Sequence, residues 1–183
     1  MRVKILFHAL TLLSFASLYG QSQPLVDDHQ YLFSPTVAEL SSGLEPLTAS
    51  DLIVLLDAAG IRRGLVLSVA YQFGNPNKPK VENEHAQGKA ENDWTSHEVA
   101  RFPERLRAFC GLDPLKDYAL EELARCAKDP QLHFGLKLHF GNSDVDLDNP
   151  AKVEQLHIRW PTINPRPRSC SHGWSWSSRP KSR

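Results

Sequence analysis

The stretch Gly64-Leu65-Val66-Leu67-Ser68-Val69 constrains the fold more than any other, because it is strand-length and has no polar face. A strand apolar on both sides belongs in a parallel sheet covered by helices, whereas a half-solvated strand would alternate. The flanking chain agrees. Before this run, Leu52, Leu55, Leu56 and Ala59 fall at helical spacing, Ser50 is a candidate N-cap, and Gly60 is placed to end the helix in the left-handed conformation. After it, Tyr71 to Lys89 is polar and holds Gly74, Pro76 and Pro79, so it reads as a long loop. A helix is predicted from Ala90 to Phe102 and a third strand over Leu106–Leu112. An amphipathic helix follows over Asp117–Lys128, with Leu120, Leu123 and Ala124 facing inward. His133–Phe140 reads as a fourth strand, and Asp27–Phe33 as the first.

Strands that alternate with helices predict repeated right-handed βαβ units. The expected fold class is α/β, a partial TIM (β/α)8 barrel of about four βα units followed by an irregular C-terminal tail. An open doubly wound sheet is the competing architecture. No GxGxxG follows a strand and no GxxxxGK[ST] occurs, so the phosphate-binding motifs of that class are missing.

Both ends differ from the middle. Residues 1–22 read as a signal peptide: Arg2 and Lys4 precede an apolar run, Ile5 to Leu18, that is short for a membrane span. The expected location is exported, periplasmic or extracellular, with no stable membrane insertion. The partial barrel is expected over 25–157. Residues 158–183 read as a disordered or out-of-frame tail, basic and without acidic residues, holding Trp160, Trp174 and Trp176. The formal net charge is +0, which leaves no global field to favour nucleic acid. Cys110, Cys126 and Cys170 form no CxxC pattern and no disulfide framework; Cys110 and Cys126 are expected as buried thiols.

The carboxyl ends of parallel barrel strands form the active-site face. His29 and Tyr31 are two apart on the first strand and share a side, as an HxH metal pair would. Tyrosine is the poorer ligand, since a free phenol ionises near pKa ~10. Lys137 and His139 likewise share a side of the fourth strand, where a buried cation needs a site or a partner. The bland alternative is a Lys137–carboxylate pair and a hydrogen-bonded core His139. His29, Lys137 and His139 are the candidate metal residues, and Tyr31, Asn92 and Trp94 the candidate substrate-binding residues. Asn83, Glu84, His85 and Asp93 belong to the same expected loop region, where a solvated loop is the simpler reading. Ser34 lacks the GxSxG context of a nucleophile.

Four stretches together resemble the amidohydrolase-related family of metal-dependent hydrolases. They are Asp27-Asp28-His29-Gln30-Tyr31-Leu32-Phe33-Ser34-Pro35, Ala90-Glu91-Asn92-Asp93-Trp94, Phe102 to Pro114, and Gly135-Leu136-Lys137-Leu138-His139-Phe140. The resemblance implies a barrel that binds one divalent metal, most often zinc, whose activated water attacks a carbonyl. His29 matches the first half of the family's HxH pair, and Tyr31 stands where the second histidine is expected. The family's later histidine and aspartate would come from further strands. The implied function is metal-dependent hydrolysis of a small carbonyl compound (lactone, amide or carboxylate), impaired by truncation. The implied partner is a small-molecule substrate and no nucleic acid. The alternative is a non-catalytic exported half-barrel that acts as a binding or self-associating module, with a homo-oligomer as the possible product.

Overall fold

The computed structural model describes residues 25–41 and 43–159. The expected signal peptide and the residues from 160 onward, including Cys170 and the three tail tryptophans, lie outside the described residues. The chain divides between Val145 and Asp146 into two compact units.

The first unit is built on a four-stranded parallel sheet that curls into a half-barrel. Its strands are β1 (Val26–Gln30), β2 (Arg63–Leu67), β3 (Leu106–Gly111) and β4 (Leu136–Lys137), paired in chain order. Helices α1 (Pro35–Leu40) and α2 (Ala49–Ala58) follow β1. A 3₁₀ turn (Ala70–Gly74) and α3 (Glu84–Ala100) follow β2, and α4 (Ala119–Cys126) follows β3. A second 3₁₀ turn, Phe140–Ser143, follows β4. In the second unit, Pro150–Arg159 forms α5.

The α/β alternation is as the apolar runs predict, and Val66, Leu106 and Ala108 are fully buried. Gly60 takes the expected left-handed conformation at φ 71°. Several boundaries move for identifiable reasons. Helix α2 is capped by Thr48, not Ser50, because Asp51 returns the bond: its backbone N–H donates to the Thr48 hydroxyl and its carboxylate accepts from the Thr48 N–H. Helix α3 starts six residues before Ala90, where Asn83 at φ 54° turns the chain into it and Glu84 suits its first turn. Glu84 and His85, expected in the loop, are therefore helical, on the same helix as Asn92, Asp93 and Trp94. Strand β4 keeps two of the eight residues expected, because His133 bridges antiparallel to Phe109 and His139 caps the following 3₁₀ turn.

Helix α4 presents a different face from the one its pattern suggests. Leu120 and Ala124 are exposed, while Ala119, Glu122 and Cys126 are buried. Cys126 forms a disulfide with Cys110 on β3, which corrects the expectation of two free thiols. Glu122 ion-pairs with Arg125, which also bonds Asp93 on α3. The covalent bond and the ion pair select this face over the leucines.

The centre of the packing is Gly111, at the end of β3. A Cβ there would lie 2.2 Å from the Ser68 carbonyl oxygen, so only glycine lets the ends of β2 and β3 approach so closely. The buried Asn92 amide holds that position. It donates to the Gly111 carbonyl at 2.9 Å and to Glu122 at 2.7 Å, and accepts the Gly111 N–H at 3.1 Å. Asn92→Ala takes the side-chain partner from the buried Gly111 N–H and carbonyl, while Glu122 keeps Arg125, and is expected to cost about 3 kcal/mol. Urea denaturation checks this; a loss below about 1 kcal/mol would mean that water replaces the amide without penalty.

Candidate functional site

Three interstrand spacings would keep the outer pair of a flat four-stranded sheet roughly 14 Å apart. Here the outer strands meet through their side chains. The Lys137 ammonium of β4 lies 5.6 Å from the ring centroid of Tyr31, the residue just after β1. Nε2 of His29 is 2.7 Å from the Tyr31 hydroxyl, and the Tyr31 ring stacks against Phe33 at 6.4 Å. His139, just after β4, packs its ring 5.2 Å from Tyr71 in the 3₁₀ turn that follows β2. Tyr71 is buried with Val37, Val69 and Phe73, and Tyr31 packs against that cluster. Burial, with a smaller contribution from Tyr31, pushes the Tyr71 phenol well above its ordinary range and keeps it neutral. The structure thus brings His29, Tyr31 and Lys137 together at the carboxyl ends of the outer strands, while His139 packs on Tyr71, which shares a hydrophobic cluster with Tyr31.

At the end of β3, Asp113 is buried and accepts the Leu115 N–H at 2.9 Å. Burial raises its carboxyl to about 6, against the opposing effect of that bond. Asn92 and Trp94 do not join the cluster through any described contact. The Asn92 amide is committed to Gly111 and Glu122, and Trp94 is half-buried on α3.

Whether these residues fit a divalent metal is decided by their lone pairs. Nδ1 of His139 accepts the Asn142 N–H at 3.2 Å, so the neutral ring carries its proton on Nε2. Metal-bound histidines use the reverse arrangement, with the far N–H donated to an oxygen. His29 already engages Tyr31, and an ammonium has no lone pair to give. Among the described residues, the cluster of three potential ligands within 4.8 Å of one another is Cys110, Glu122 and Cys126, and its cysteines are disulfide-bonded. The four residues at the barrel mouth do not make a metal centre by themselves.

Sequence reading missed a buried contact that holds this mouth in place. Ser34 caps α1 and donates its hydroxyl to Glu91 on α3, joining segments 57 residues apart. The other Glu91 oxygen, Oε1, is buried and has no hydrogen-bond partner among the described residues. Tyr71 was also missed, since its segment reads as loop; the only local hint is an aromatic directly after an apolar strand.

Two solved structures resemble the chain. 2,6-Dihydroxybenzoate decarboxylase from Rhizobium matches with a TM-score of 0.53 and 24% identity, over 76% of this chain and 46% of that one. A probable 2-pyrone-4,6-dicarboxylic acid hydrolase from Acinetobacter baumannii matches at 0.42 and 17%, over 75% and 46%, and no argument rests on it. The likeness to the decarboxylase concerns the fold, and it agrees with the parallel α/β half-barrel expected from the sequence. The chain spans about half the length of each. No family model matches the sequence, and no curated protein does.

Burial raises the Glu91 carboxyl from 4.5 to about 7, against the Ser34 bond that favours its charge. A carboxyl with a raised folded pKa favours the fold while protonated. That contribution is complete below about 4.5 and is lost as pH climbs to about 7. Glu91→Gln keeps an acceptor for Ser34 without the charge. It is expected to gain stability relative to the parent by up to ~3 kcal/mol at about pH 8, and little at about pH 4. Parallel stability–pH curves for the two proteins would contradict this.

Proposed function

We propose that this half-barrel serves an amidohydrolase-type enzyme that hydrolyses or decarboxylates a small carboxylate-bearing compound. The observation that carries the reading is the meeting of Tyr31 and Lys137 across the curled sheet, at the end where barrel enzymes place their chemistry. The fold likeness to a decarboxylase of a dihydroxybenzoate supports the substrate class. Lys137 supplies the charge that a carboxylate seeks. The His29–Tyr31 pair, joined at 2.7 Å, can hold or pass a proton beside it. The zinc implied by the sequence resemblance would activate water, but the described residues lack a ligand set for it and no step is routed through it.

We also propose that the protein is exported and acts after removal of residues 1–22. The disulfide between Cys110 and Cys126 supports this, since such bonds persist chiefly in oxidising compartments.

One preparation tests both. The full sequence is expressed in a host with a secretion pathway, and the exported fraction is weighed by mass spectrometry and assayed. The expected result is a mature chain that begins after residue 22 and slowly releases carbon dioxide from 2,6-dihydroxybenzoate or opens an aliphatic lactone. Turnover should fall at least about tenfold in Lys137→Ala. An unprocessed product in the cytoplasm contradicts export. No turnover, or turnover indifferent to Lys137, contradicts the enzyme reading.

A further inference from the structure

We propose that Tyr31, Lys137 and His139 form an anion site that takes a small planar carboxylate without a metal ion. The inference rests on the functional face described above but concerns binding alone. It starts from the charge of that face. Lys137 is half-buried, and among the described residues its ammonium has the Tyr31 ring as its contact and no carboxylate partner. A partly desolvated cation without a counter-charge attracts an anion more strongly than one in water. His139 adds a second donor: with Nδ1 taken by the Asn142 N–H, its Nε2 bears the proton. The Tyr31 hydroxyl, 2.7 Å from His29 Nε2, is a third polar group, carried on the ring that Lys137 faces.

Of these groups, Lys137 carries positive charge and His139 offers an N–H. A divalent cation brought among them would meet an ammonium, an N–H and an occupied imidazole. An anion would meet donors. Tyr31, where an HxH pair would have its second histidine, is the residue that changes the character of the site: it replaces a lone-pair donor with a hydroxyl and offers its ring face to Lys137. The walls select shape. Tyr31 stacks with Phe33 and presents its ring to Lys137, and Tyr71 lies tilted against His139, so the ammonium and the imidazole each have an aromatic neighbour. A flat monocarboxylate fits this better than a tetrahedral oxyanion.

Benzoate is the probe, titrated calorimetrically into the chelator-treated full chain, with phenol as its uncharged counterpart. Benzoate is expected to bind and phenol at least about tenfold more weakly. Lys137→Met, which keeps the aliphatic stem, should weaken benzoate at least about tenfold, while Lys137→Arg retains binding. Added zinc should change the affinity less than about twofold. Tyr31→His should weaken benzoate and gain zinc affinity. Thermal melts of each variant confirm that the fold survives, and the charge-retaining Lys137→Arg decides the matter if Lys137→Met melts. The proposal is overturned by benzoate binding only with zinc, by affinity unchanged in Lys137→Met, by equal affinity for phenol, or by no binding. Lys137-dependent binding without turnover sinks the enzyme reading and leaves this one standing; turnover with Lys137-independent binding does the reverse.

Discussion

The close approach of Gly111 to Ser68 is the contact on which the rest of the half-barrel depends. No side chain can occupy that space, because a Cβ would sit 2.2 Å from a carbonyl oxygen. The approach draws the carboxyl ends of β2 and β3 together. It also leaves the backbone of Gly111 buried and in need of partners, which Asn92 supplies from α3. The same amide reaches Glu122, so one residue ties β3, α3 and α4 together. Helix α3 then holds the segment after β1 through Glu91 and Ser34, and that segment carries Tyr31. The site is thus positioned from behind by hydrogen bonds that never touch it.

Two kinds of restraint act on β3 and α4, and they differ in what they do. The disulfide closes a separation of 16 residues and contributes about 3 kcal/mol, chiefly by restricting the unfolded chain. The Asn92–Glu122–Arg125 network contributes on a similar scale, because each buried group left unpaired costs about 1–3 kcal/mol. The disulfide holds two elements near each other. The network, being directional, sets which face of α4 turns inward. Glu91 works in the opposite direction: its ionised form is stranded in the interior near neutral pH, and the fold bears that cost while keeping the Ser34 contact.

The parts of this structure legible in the sequence are those set by local pattern. The two-sided apolar run from Gly64 marks β2, Gly60 marks the end of α2, and the parallel α/β architecture follows from the alternation. His29, Tyr31, Lys137 and His139 could be singled out because strand periodicity places them at carboxyl ends. What was not legible depends on partners far along the chain. Ser34 and Glu91 are 57 residues apart, and Asn92 and Gly111 are 19 apart, so no window reveals either bond. Leu120 and Leu123 outweigh Cys126 in any hydrophobic pattern, yet the disulfide turns Cys126 inward. Asn92 looked like a polar residue free to meet substrate because its backbone partner carries no side chain to betray it.

The central claim is that curling of the sheet brings the ends of β1 and β4 into contact. Nuclear Overhauser effects read this directly, in the folded full chain, between the Tyr31 ring and the Lys137 ε-methylene and between the Tyr71 and His139 rings. Cross-peaks are expected for both pairs, since the Lys137 ammonium lies 5.6 Å from the Tyr31 ring centroid and the Tyr71 and His139 centroids are 5.2 Å apart, which brings ring edges within the roughly 5 Å reach of such effects. Cross-peaks within the β2–β3 pairing but none between Tyr31 and Lys137 would show a flatter sheet, and would contradict the site described.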